Sequence, residues 1–207
     1  MKVNLKTQQY ALYLTYGYIV AVLISTILRF AGVGLSPALD KLKLTALQVA
    51  YVLIFVYITM LLATNRERRA VVIAFAIYTT LAALGSMMIF ISDYGLLRIF
   101  LITFGSAGTL VVIYLIVLIF WIRHPIISKY CKTLGAIMAS LTALKILMPF
   151  AAGYMGNYYS NSLYRIGWLY IELYALLIPV VIIVLLKRTR VLLTDYVPPA
   201  ETYEEYL

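Results

Sequence analysis

Lys145 and Glu172 are a cation and a carboxylate set inside long apolar runs, and their types and positions are those of groups that do electrostatic work in a membrane. A charge at mid-bilayer depth costs a few kcal/mol even on the mildest insertion scale, so it persists where it has a partner or a task. Lys145 lies nine residues before Tyr154, and Glu172 lies six residues after Ile166. At the helical rise these offsets put the two groups roughly 13 and 9 Å below the same boundary, a difference that a lysine stem spans. A short connection makes their helices neighbours, so the spacing predicts a Lys145–Glu172 pair. Such a pair is either a buried structural contact or the polar centre of a binding or proton-coupling site open to the outer face.

The residues around that depth supply material for a cavity. Tyr170 and Tyr174 flank Glu172, and Trp168 lies one turn before it. Their rings either line a ligand site or anchor the helix at the interface. Pro149 and Pro179 oppose the carbonyls of Lys145 and Ala175, which frees those acceptors and favours kinks. Arg29, Arg98 and Arg165 form an outer rim suited to an anion or to lipid phosphates, with Asp93 placed to compensate Arg98. The segment from Gly153 to Arg165, with Tyr154, Tyr158, Tyr159 and Tyr164, reads as an aromatic lid at the outer headgroups.

Other chemistries are excluded by composition. One histidine (His124) and one cysteine (Cys131) allow no bis-His haem, no cysteine cluster and no ordinary zinc site, so no cofactor or metal is expected. Ser106 sits in a Gly-Ser-Ala-Gly run, yet no histidine lies inside any span to serve as its base. No Gly-rich phosphate loop and no metal-binding acidic cluster is present, which argues against an enzyme, including one acting on lipids. The net charge of +9 comes from basic residues that flank apolar runs, so it marks topology and headgroup contacts rather than nucleic acid.

The elements that must position these groups are transmembrane helices. The 207 residues are 64% apolar and 12% charged, where a soluble domain carries about twice that charge. Six apolar runs are long enough to span: about 10–30, 44–63, 70–92, 97–122, 134–154 and 166–186. The first lacks a small-residue cleavage site before Arg29 and reads as a true span. All connections are short, so the expected fold is all-α, a polytopic six-transmembrane-helix bundle with neighbouring helices antiparallel. Residues 1–193 form its single domain. Eleven of the 17 basic residues fall on the side of the N-terminus and five on the other, which predicts both termini in the cytoplasm. The cell membrane is the expected location. The remaining segment, 194–207, is acidic, carries Tyr196, Tyr203 and Tyr206, follows Pro198 and Pro199 in part, and reads as a cytoplasmic tail or docking peptide.

Packing signals are also legible. Gly135, Ala139 and Ala143 recur every four residues and predict a close helix seam, with Gly105 to Gly108 similarly permissive. Tyr10, Tyr13 and Tyr16 advance by threes along the first span and read as a helix-packing stripe or, less simply, a ligand-binding face. In size and span count alone the chain resembles the substrate-binding subunits of vitamin uptake systems, and the alanine-spaced coupling motif of that family is not evident in span one. From these features the leading expectation is a non-enzymatic subunit or assembly and regulatory partner of a larger membrane complex, in contact with the bilayer and other membrane subunits. The alternative is a small transporter or substrate-capturing protein for a small polar or anionic solute.

Overall fold

A computed structural model describes residues 3–32, 36–91, 93–154, 167 and 170–194. Among them every regular element is helical: α1 (Leu5–Phe30), α2 (Pro37–Thr64), α3 (Arg69–Ser86), a 3₁₀ turn (Met87–Phe90), α4 (Tyr94–Ile119), α5 (Pro125–Tyr154) and α6. The last comprises residues 170–175, a turn at Leu176, and Leu177–Thr194. Six helices are long and apolar enough to cross a membrane. That makes the chain a multi-pass integral membrane protein.

The helix starts are set by local chemistry. Asn4 and Thr7 form a reciprocal capping box at α1. Ser36 caps α2, with Pro37 in the first helical position where its missing N–H costs nothing. The Asp93 side chain accepts the Leu96 N–H at 2.9 Å, so it caps α4 rather than compensating Arg98. Pro125 opens α5 in the same way as Pro37 opens α2, nine residues earlier than hydropathy places the span. Lys129 and Lys132 lower the hydropathy of that first stretch without breaking its helix.

Each helix packs on its neighbours in sequence, and α1 also packs on α6, so the bundle closes into a ring. Burial around this ring is lopsided. Gln8, Ala11 and Thr15 of α1, Ile54 to Leu62 of α2, and Val71 to Thr79 of α3 hold the buried positions of those helices. Leu115 to Ile122 at the end of α4, Ile127 to Leu141 of α5, and Ile178 to Thr189 of α6 complete the core. Because the helices alternate in direction, nearly all of these positions lie toward the side that carries the termini. Among the described residues, the ring is therefore sealed on the terminal side and fewer positions are buried on the distal side. Gln8 strengthens the seal at the α1–α6 closure, where its buried side-chain amide donates to the Leu186 carbonyl.

The small-residue stripe is used at one point. A Cβ on Gly135 would stand 2.9 Å from Ile119 Cγ2 of α4, whereas Ala143 is exposed. Gly105 and Gly108 have open space around them, so that run makes no seam among the described residues. Gly135→Ala is expected to lose about 1–2 kcal/mol by overpacking. Gly108→Ala should instead gain up to about 1 kcal/mol from helix propensity. Unfolding of the two variants in one detergent checks both signs; equal effects would contradict the packing described.

Candidate functional site

At the upper limit of the sealed core lies a cavity of about 290 Å³ to which all six helices contribute. Tyr18 comes from α1, Gln48 and Tyr51 from α2, Tyr78 from α3, Val112 from α4, Thr142 and Lys145 from α5, and Ala175 and Pro179 from α6. Lys145 is the single charged residue among the described residues that line it. Its side chain is exposed and stands in no ion pair among the described residues.

The floor and one wall are aromatic. The Tyr51 and Tyr78 hydroxyls are hydrogen-bonded at 2.5 Å, tying α2 to α3. Phe55 packs beneath them, its ring centroid 4.7 Å from that of Tyr51 and 5.1 Å from that of Tyr78. Tyr18 leans on Tyr51 from the opposite side at 6.1 Å. The two hydroxyls satisfy each other, yet each oxygen keeps acceptor capacity and the pair keeps one proton to donate. Thr142 turns its hydroxyl back onto the Met138 carbonyl. Pro179 has no N–H to give the Ala175 carbonyl, and the helix is interrupted at Leu176, one residue beyond that carbonyl. Lys145, three tyrosines, Gln48 and Ala175 thus border one space at mid-depth.

The Lys145–Glu172 pair expected from depth does not form. Glu172 is bound instead by Arg29 of α1, whose Nη1 donates to Oε1. Glu172 sits on a helix with two neighbours, and its carboxylate turns to α1 rather than α5. Tyr170 and Tyr174 also leave the cavity: with Leu144 and Leu177 they border a separate apolar groove. Trp168 and Arg165, the Gly153–Arg165 lid beyond Tyr154 and the tail from Asp195 onward lie outside the described residues. Arg98 is exposed, and Arg29 pairs with Glu172 in a latch rather than standing free in a cationic rim. Tyr10, Tyr13 and Tyr16 are exposed on the outside of the bundle, with Lys187 5.8 Å above the Tyr16 ring, so the stripe packs against no core. Tyr18, two residues beyond the stripe, lines the cavity instead.

Because the Arg29 and Glu172 side chains are 62% and 36% exposed, their contact is worth about 1 kcal/mol. A double-mutant cycle on Arg29→Gln and Glu172→Gln, read by unfolding in detergent, should return a coupling near that value. The corresponding Lys145→Gln and Glu172→Gln cycle should return about zero. Coupling in the second cycle and none in the first would overturn the assignment.

Gln48, Tyr51 and Tyr78 carry no weight in the sequence reading. Their signal is Gln48 itself, an amide inside an apolar span, with Tyr51 three residues on and so on the same helix face. Among the described residues no three His, Cys, Asp or Glu side chains converge as a metal site would require. The arrangement defines a class: a six-helix membrane protein with a polar cavity bearing one positive charge. Family models, curated proteins and solved structures were compared with the chain, and none matches it.

Proposed function

We propose that this protein captures a small organic monoanion at Lys145, taking it from the side opposite the termini. The observation that carries the reading is the meeting of all six helices around a cavity in which Lys145 is the single charge among the described lining residues. One ammonium selects one negative charge. Tyrosine rings and aliphatic side chains on the remaining wall favour a carboxylate attached to a flat or apolar body. The packed terminal halves of the helices close the cavity below, which supports entry from the distal side. Movement of the solute through the seal would require the α1–α6 contact held by Gln8 to open, whereas the Arg29–Glu172 latch stands at the distal end of the same seam, on the side of entry.

The test is anion-dependent thermal stabilisation of the purified protein. A graded series of benzoate, 4-hydroxybenzoate, acetate and the neutral benzamide serves as probe. Saturation at about a hundred times the dissociation constant adds about 2.7 kcal/mol of stability. The aromatic carboxylates should raise the melting temperature by several degrees and benzamide should not. Equal responses to the charged and neutral members, or none at any concentration, would defeat the proposal.

The reading as a subunit of a larger complex is favoured by a different observation, the unoccupied space beside Gly105 and Gly108 on α4. It is compatible with solute capture. Purification in mild detergent with a stoichiometric second membrane chain would support it.

A further inference from the structure

A second cavity, of about 270 Å³, lies between α5 and α6 near the terminal-side boundary. It is lined by Pro125, Ile126, Lys129, Tyr130 and Arg188, and it shares no residue with the Lys145 site. The antiparallel packing of the two helices brings its cations to one level. Lys129 is four residues from the start of α5, and Arg188 is six from the end of α6, which puts them about 6 and 9 Å from those ends. Both side chains are exposed, and neither stands in an ion pair among the described residues.

Other cations at this end are placed differently. Arg68 lies over the Trp121 ring at 5.6 Å and Lys187 over the Tyr16 ring at 5.8 Å. Lys129 and Arg188 instead flank one hollow from two helices. A guanidinium offers a planar fork of donors, an ammonium adds a point charge, and Tyr130 brings a phenol within the same lining. Together they suit a phosphate with its two or three outward oxygens. Pro125 and Ile126 add apolar surface beside the charges, which a free phosphate has no use for and a glycerol ester does. The hollow also lies on a helix seam at the level where a bilayer presents its headgroups.

We propose that this groove is a binding site for the phosphate headgroup of an anionic phospholipid, bound across the α5–α6 seam. A bound headgroup neutralises two like charges that line one hollow, so occupancy tightens the sealed half of the ring.

The full-length protein is purified in a neutral detergent and exchanged into mixed micelles containing phosphatidylglycerol or phosphatidylcholine. Native mass spectrometry then counts retained lipid, and thermal unfolding reads stabilisation. Phosphatidylglycerol is expected to be retained at one per chain and to raise the melting temperature, with phosphatidylcholine doing neither. Lys129→Gln with Arg188→Gln should weaken retention about tenfold or more. Lys132→Gln removes a nearby cation that does not line the groove and should leave retention unchanged. Equal retention of the two lipids, or equal loss in the Lys132 variant, would overturn the site in favour of diffuse attraction. Inorganic phosphate and glycerol 3-phosphate form the last arm: stabilisation by these at millimolar levels without any by phosphatidylglycerol would assign the groove to a soluble phosphate and overturn the lipid proposal. Should the double variant fail to fold, the lipid comparison on the unaltered protein decides.

Discussion

Lys145→Met is expected to raise the melting temperature of the unliganded protein while removing its response to aromatic carboxylates. The two effects have one cause. An ammonium at mid-depth without a carboxylate partner destabilises the bundle, by up to a few kcal/mol when a membrane site is dry. Here the side chain is exposed to a polar cavity, so hydration and the tyrosine oxygens recover much of that penalty. The net gain on replacing it with a methionine of similar length should be about 1–2 kcal/mol. The solute response should fall about tenfold or more in apparent affinity, since the attraction lost is that of a charge pair in a hydrated cavity. Lys145→Arg tests the converse. It keeps the charge but spreads it over a planar group, so some carboxylate response should survive with an altered order of preference. A purely structural lysine would behave otherwise: its loss would lower stability and leave no separate ligand signal. Measuring the melting temperature with and without benzoate for the three proteins separates these outcomes.

Of this molecule, the sequence makes legible what depends on local pattern. Six apolar runs with short connections lead to six helices, each packed on its neighbours in sequence. Lys145 is marked as unusual by depth alone, and the cavity does form around it. Its partner was misread because depth is one coordinate of two. The angle around the helix decides whether Glu172 meets α5 or α1, and closure of the ring, a contact across 143 residues, supplies Arg29 as the nearer cation. Tyr51 and Tyr78 were missed for a related reason. Each is an ordinary aromatic in its own span, and only the α2–α3 packing joins them. The start of α5 was hidden by its lysines, whose hydropathy describes solvation and not backbone conformation. Pro125 after His124 carried the better signal.

The largest stability loss is expected at Glu67, a residue to which the sequence reading assigns no role. It is the one carboxylate in the connection between α2 and α3, flanked by Arg66 and Arg68, and it is 9% exposed. The backbone is built to deliver it. Arg66 adopts φ 54°, the left-handed conformation, and its N–H bonds the Ala63 carbonyl while the Glu67 N–H bonds that of Leu62. These are the two bonds of the helix-ending motif in which glycine usually holds the left-handed position. Holding it with arginine costs about 1 kcal/mol, which the contacts beyond the turn offset. There the carboxylate accepts the N–H of His124 at 2.8 Å and that of Arg123 at 3.3 Å, just ahead of α5. Arg68 closes the same joint over Trp121. One side chain thus fastens the α2–α3 turn to the α4–α5 turn. Glu67→Ala leaves two main-chain donors without their charged acceptor, a loss of about 3 kcal/mol. Glu67→Gln keeps a neutral acceptor for one of them and should lose about half as much. The order alanine, then glutamine, then unaltered protein in chemical unfolding checks the assignment; an alanine variant as stable as the parent would show that the two turns are held by packing alone. Benzoate binding at Lys145, well above this joint in the bundle, should persist in whatever fraction of either variant remains folded.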